Sequence, residues 1–308
     1  MNTLEQEPKT LEDEIDAIVE HPMPEQDRWR ILKRLLRHKS AQIGGVVVLL
    51  LLVFTFFGKW IVPYDPFELD TPNRLLPPST QHWLGTDEQG RDILSRIIYG
   101  SRYTMMVMFV TVTIGAIGGI LLGLPSSYFG GTADMLVMRL VDVMLSFPYI
   151  LLVLAIVAII GPDLINAMIA IGVANMPGYA RLARSSVLSV KEEEYVAAER
   201  ALGAGHLRVM FHTVLPNIIS PLIVFMTLRM PVAVLSAAAL SFLGLGAQPP
   251  LPEWGAMLVN ARTFISTAVW VVWAPGMAIF ITVLGINLFG NALRDVLDPR
   301  QSAVKQGR

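Results

Sequence analysis

Residues Glu194–Asn217 read EYVAAERALGAGHLRVMFHTVLPN, a polar stretch with glycines at its centre and Leu-Pro near its end, set between two strongly apolar regions. Ser189 and Glu192 have the spacing of a capping box, and Glu192, Glu193 and Glu194 put negative charge where a helix has its positive end, so a helix is expected to start near residue 190. It presents Tyr195, Ala198 and Leu202 on one side and the small residues Ala197, Ala198 and Ala201 along a low ridge. Gly203 is placed to stop it, and Gly205 adds a second flexible point. From Ala204 a second short helix carries the one-sided apolar set Leu207, Met210, Phe211 and Val214, until Pro216 starts the next membrane helix. Two readings fit this helix, glycine turn and helix. One is an ordinary connecting loop. The other is an element that inserts into a groove on another protein, its small ridge allowing close approach while its apolar face holds it against its own membrane domain.

The chain around this stretch is built for lipid. Of 308 residues, 53% are hydrophobic and 16% charged, with a mean hydropathy of +0.54, well below the roughly 25% charged of soluble domains. Nearly uncharged runs cover Ile43–Val62, Tyr103–Leu124, Met144–Ile160, Leu164–Met176, Ile218–Leu245 and Ala268–Phe289. About 20 apolar residues cross a bilayer core, and the third and fourth runs extend back to Ala133 and on to Leu182. The expectation is an all-α polytopic membrane protein with six transmembrane helices. The alternating ten-residue pattern of a membrane barrel is not repeated along the chain.

The basic run RWRILKRLLRHK at residues 28–39, directly before the first span, predicts a cytoplasmic N-terminus, and six spans then bring the C-terminus to the same side. The first apolar run lacks a cleavage pattern and is read as a retained helix. The organisation expected is a cytoplasmic tail at 1–40, a first span at 41–62, an extracytoplasmic segment with an interfacial helix at 63–102, a core at 103–292 carrying the polar loop at 189–216, and a cytoplasmic tail at 293–308. In the first tail, Leu11, Ile15, Ile18 and Val19 share one helical face, so a short amphipathic helix and a disordered acidic tail both fit.

Thr86 and Gln89 have capping-box spacing, and Ile93, Leu94, Ile97 and Ile98 follow on one face, which suggests an interfacial helix leading into the second span. Asp87, Glu88 and Asp92 lack the alternation of a calcium loop and read as solvated caps; no metal site is expected. Gly115, Gly119 and Gly123, four apart, clear one stripe for close helix packing. Pro148, Pro177, Pro231 and Pro275 fall in spans three to six, each freeing a carbonyl that lipid cannot satisfy. Arg139 and Asp142, three apart, suggest a local pair at the interface. Arg229 lies deeper and either contacts solute or braces the bundle through a carboxylate such as Asp142. Pro250, Glu253 and Trp254, in the stretch GLGAQPPLPEWGAMLVNAR, form either an extracytoplasmic gate or docking surface, or a headgroup anchor.

The absence of cysteine excludes disulfides and thiol chemistry. Five scattered histidines, no His-Glu-x-x-His, no serine elbow and no paired intramembrane aspartates argue against a membrane enzyme. An ion-coupled carrier or channel is the other rival; it would leave the projecting helix pair without a purpose.

AAERALG followed by VLPN resembles the coupling motif of binding-protein-dependent ABC importers. HWLGTDEQGRDILSRIIYGSR, MRLVDVMLSFP, ALSFLGLGAQPPLPEWGAML and LRDVLDP resemble, in order, the C-type permease subunit of dipeptide, oligopeptide, nickel and glutathione importers. The resemblance covers about residues 60 to 299 and implies a type I importer permease fold with a cytoplasmic coupling helix pair. It assigns Ala198, Gly203, Leu215 and Pro216 to ATPase coupling. Ala197 stands where the family often has glutamate, and Glu199 where it often has alanine, so no salt bridge from that glutamate carries over. The chain has no G-x-x-x-x-G-K-[ST] loop, so it binds no cofactor of its own, and ATP and Mg belong to partner subunits. The partners implied are a homologous B-type permease, two cytoplasmic ABC ATPases and an extracytoplasmic solute-binding protein. Lipid surrounds the spans, and no nucleic acid is expected. The localisation implied is the bacterial cytoplasmic membrane, and the solute is most readily a di- or oligopeptide, with nickel or glutathione as alternatives.

Overall fold

The computed structural model describes residues 28–297, so the amphipathic pattern near the N-terminus and the end of the C-terminal tail lie outside the described residues. Helices dominate: α1 (Arg28–Arg37), α2 (Lys39–Ile61), α3 (Ile93–Phe129), α4 (Gly131–Ser146), α5 (Tyr149–Ile160), α6 (Leu164–Val190), α7 (Glu194–Ala201), α8 (His206–Phe242), α9 (Trp254–Ala261) and α10 (Val269–Leu297). Among the described residues there is no strand, only an isolated bridge between Thr86 and Asp92.

Four helices, α2, α3, α8 and α10, are long and apolar enough to cross a membrane. Of the six expected spans, these four meet that measure among the described residues, and two of the runs depart from a simple apolar helix. The third run is a pair, α4 and α5, bent by 95°, and counts as one span at most. The break falls at Phe147, whose φ of −85° and ψ of 137° are the extended geometry imposed on a residue before proline. The fourth run is α6, whose 27 residues reach about 40 Å. It carries Asn166, Asn175, Pro177, Arg181 and Arg184 and misses the apolarity of a span because much of its surface faces protein.

The glycine stripe of α3 is where α6 comes in. A Cβ on Gly115 would sit 3.0 Å from the Tyr179 ring, one on Gly123 2.5 Å from the Ala180 carbonyl, and one on Gly119 against Tyr179 and 2.7 Å from the Met176 carbonyl. Backbone atoms cannot yield as side chains do, so these three positions set the distance between the two helices. Gly172 of α6 repeats the device against Ile114. On the other side of the bundle Gly44 of α2 meets Gly285 and Phe289 of α10.

α3 starts earlier than its apolar run. Asp92, not Thr86, is its N-cap: the carboxylate accepts from the Ser95 N–H and hydroxyl, both at 2.7 Å. The expected interfacial helix and second span are therefore one 37-residue helix. The acids before it are not solvated. Asp87 is buried and accepts from the Gln89 and Arg91 N–H groups and from Arg91 Nε at 2.7 Å, with Arg96 Nε at 3.4 Å. Arg96, almost fully buried, also donates to the Pro66 carbonyl at 2.9 Å, which ties the 63–92 segment onto α3. Burial, then the Asp87 charge, pushes the Glu88 carboxyl above its ordinary range.

Gly58 of α2 lies against Ile98 of α3, and His38 lies 3.8 Å from Asp295 of α10. The first residues of α2, the last of α3 and the last of α10 thus share one end of the bundle. The polar loop sits at that same end.

Candidate functional site

The loop is anchored before it is displayed. α6 runs through Ser189 to Val190, so no capping box forms there; the chain turns through Lys191–Glu193 and α7 starts at Glu194, with Glu193 as N-cap. Val196 is fully buried among Val187, Val209, Met210 and Val214, an apolar seat beneath the ridge. Around it five polar contacts hold the element. The Arg200 guanidinium lies over the Tyr128 ring at 5.2 Å, and the Tyr128 hydroxyl lies 3.3 Å from His206 Nδ1. Lys191 Nζ donates to the Ser127 carbonyl at 3.4 Å. Glu199 accepts from the Thr213 hydroxyl, with Arg208 Nε 3.9 Å away.

Gly203 has φ +85°, in the left-handed region; its N–H donates to the Arg200 carbonyl at 2.9 Å, and the Ala204 N–H to Glu199 at 3.2 Å. The expected second short helix is corrected: residues 206–242 form one helix, with a π-turn at Val209–Val214. That wider turn precedes Pro216, whose ring would press on the carbonyl four residues back, at His212. Leu215 is half-buried and Pro216 exposed just beyond it.

What the anchoring leaves outside is apolar. Ala197, Ala198 and Ala201 are exposed along the ridge, and Leu202 at its end is 88% exposed. Leu207 and Phe211, expected to face the membrane domain, are also exposed at 65% and 48%; Val209, Met210 and Val214 face inward instead. Burial, then the Glu193 charge, pushes the Tyr195 phenol up. Tyr128, Ser127 and Thr213 went unnoticed in the sequence, because nothing in their spacing marks a partner up to 78 residues away.

The other expected groupings separate. Asp142 pairs with Arg181 of α6 at 2.6 Å, not with Arg139 or Arg229. One register along, Arg184 makes a two-pronged contact with Asp134 at 2.8 to 3.0 Å. The Arg229–Asp142 brace is absent, and the Arg229 guanidinium lies over Phe225 at 4.7 Å. Near it, the Tyr149 hydroxyl joins Asn175 at 3.3 Å and Ser236 at 3.4 Å across three helices.

At the opposite end, Pro250 is exposed, but Glu253 is 3% exposed and Trp254 equally buried. Glu253 caps α9, accepting from the Gly255 and Ala256 N–H groups at 3.0 and 2.9 Å and from the Ser241 hydroxyl at 2.9 Å. Trp254 Nε1 donates to the Ile97 carbonyl at 3.1 Å. Neither side chain is available as an outward docking group or headgroup anchor.

A helical membrane bundle with a firmly seated, apolar-tipped projection at one end is a form that transport permeases take. Residues 115–303 match the family described as binding-protein-dependent transport system inner membrane component, and residues 26–78 match the N-terminal TM domain of oligopeptide transport permease C. The chain belongs to this family of ABC importer permeases, integral membrane subunits that are not themselves ATPases. It is 47% identical over 292 residues to the di/tripeptide transport system permease protein DppC of Pseudomonas aeruginosa, covering 92% of this chain and 95% of the relative. It is 47% identical over 276 residues to the dipeptide transport system permease protein DppC of Alkalihalophilus pseudofirmus, covering 89% and 91%. It is 42% identical over 280 residues to the glutathione transport system permease protein GsiD of Pectobacterium atrosepticum, covering 90% and 91%. Inward-facing structures of the MetNI methionine ABC transporter share the fold with a TM-score of 0.53 and 20% identity, covering 66% of this chain and 97% of that one.

Proposed function

We propose that this chain is one half of the channel of an ATP-driven importer for di- or oligopeptides, paired with a homologous permease and coupled through α7 to a cytoplasmic ATPase. Its relatives named for dipeptide transport support the substrate class, and the relative named for glutathione transport supports a second reading, a γ-linked tripeptide. The observation that carries the coupling role is the α7 ridge: small residues and an 88% exposed leucine on an element seated firmly against α3 and α8. An apolar tip on a rigid base suits insertion into a groove that moves. Ala198, Gly203, Leu215 and Pro216 belong to this surface or its hinge. Ala197 adds to the ridge, while Glu199 supports it from beneath through Thr213.

The basic run at 28–39 supports placing this end of the bundle in the cytoplasm of a bacterium, with both termini inside. Solute then arrives at the opposite end from an external binding protein, past the 63–85 segment and Pro250. Arg229, facing no carboxylate among the described residues, is proposed to line the pathway.

Co-expression with candidate ATPases tests the reading. The wild type retains them on purification, and Gly203→Pro releases them while the membrane domain stays folded. Retention of both ATPase and transport by Gly203→Pro overturns it.

A further inference from the structure

We propose that the end of α2 remote from α7 carries a binding site for the headgroup of an anionic phospholipid. Between the last turns of α2 and the first turns of α3 lies a cavity of about 210 Å³. Thr55, Lys59 and Trp60 line it from α2, and Tyr99 and Arg102 from α3. It offers two cations and no acidic side chain in its lining, so it selects for negative charge.

The donors are held in place. Arg102 stacks over Tyr99 at 4.8 Å and over Tyr103 at 5.8 Å, which occupies the guanidinium face and turns its edge N–H groups to an oxygen acceptor. The Thr55 hydroxyl oxygen is buried and finds no hydrogen-bond partner among the described residues, an unmet group in the cavity wall. A phosphodiester supplies the counter-charge that Lys59 and Arg102 lack within this lining.

Lipid fits better than a dissolved anion or a peptide. Lys59 and Trp60 stand side by side at the end of a span, where ammonium and indole reach headgroup depth. Immediately below, Phe56 and Phe57 are exposed and offer acyl chains an apolar bed continuous with the cavity. A peptide would require an acidic group for its amino terminus, and the lining holds none.

The test uses the full-length chain in phosphatidylcholine discs doped with brominated phosphatidylglycerol or brominated phosphatidylcholine. Trp60 quenching is read as the difference between wild type and Trp60→Phe. Phosphatidylglycerol is expected to half-quench Trp60 at a lower mole fraction than phosphatidylcholine, by about fivefold for each cation in contact. Lys59→Gln with Arg102→Gln abolishes that preference. Lys59→Arg with Arg102→Lys keeps it, as does neutralising Lys33 and Arg37 of α1, beyond the other end of α2. Equal quenching by both lipids, or a preference that survives the double glutamine variant, overturns the proposal. Competition by soluble glycerol phosphate makes the site one for a free anion, and loss of the preference once a second permease is co-assembled makes it part of a subunit interface; either outcome overturns it too.

Discussion

Leu202 separates coupling from folding more cleanly than any other residue of the loop. Its side chain is 88% exposed at the tip of α7, so truncation removes almost nothing from the isolated chain, within about 0.5 kcal/mol. Seated in a partner's groove, the same side chain is buried. Leu202→Ala deletes three carbons at about 0.8 kcal/mol each, roughly 2 kcal/mol, which is about thirtyfold in the dissociation constant of the ATPase. Val196→Ala is the mirror image: it is fully buried beneath the ridge, so its loss loosens the seat by about 1 to 2 kcal/mol and lowers the stability of the chain itself. Surface-immobilised permease in detergent, titrated with the ATPase, gives the affinity, and thermal unfolding of the permease alone gives the stability. Leu202→Ala should shift the first and leave the second in place. If its affinity stays within twofold of wild type, the ridge is not where the partner sits.

Glu253→Ala removes a cap and leaves three buried donors unmet, a loss of about 2 to 4 kcal/mol; amide exchange at Gly255 and Ala256 should accelerate accordingly, with Glu253→Gln intermediate. Unchanged exchange would place the carboxylate in another role. Gly119→Leu must displace the Met176 carbonyl, so the variant is expected to fail to accumulate in membranes on immunoblots, whereas the same change at Gly45, where a Cβ meets nothing, is tolerated. Asp87→Ala leaves the buried Arg96 with no carboxylate among the described residues at ion-pair distance and Arg91 with Glu88 alone, at 3.2 Å, costing about 3 to 5 kcal/mol and lowering the unfolding temperature in detergent. Because the folded-state pKa of Glu88 is raised, the folded chain holds that proton more tightly than the unfolded one, and stability falls as pH climbs from the ordinary 4.5 toward the raised value. Glu88→Gln should flatten that slope in a pH series of melting temperatures, and an unaltered slope would assign it to another group.

The membrane class, the apolar spans and the close approach of a helix to the glycine face of α3 were legible in the sequence because they rest on local composition and period; that the helix is α6 comes from the fold. α6 is counted as a span from its apolar first half, but its continuation to Val190 is not, because Arg181 and Arg184 dilute its hydropathy and meet their carboxylates, Asp142 and Asp134, only in the fold. The break at Phe147 was present as a proline, but nothing local told a 95° bend from a kink. Glu199 and Glu253 were both noticed, and both were assigned outward duties. What turned them inward are Thr213 and Ser241, at separations of 14 and 12 residues, which only the fold brings together. Arg96 and Pro66, 30 residues apart, illustrate the same limit in the segment before α3.

The seat of α7 also determines what a pull on it can move. Tyr128 belongs to the last turn of α3 and His206 to the first of α8, and Arg200 of α7 packs against that tyrosine while Glu199 is tied to Thr213. A force applied at Leu202 is therefore delivered to two helices at once, one travelling away from the loop and one toward it in chain direction. α3 is packed against α6 at its glycines, so the three helices form one connected lever, along which a displacement made at the loop would be carried toward the far end of the bundle.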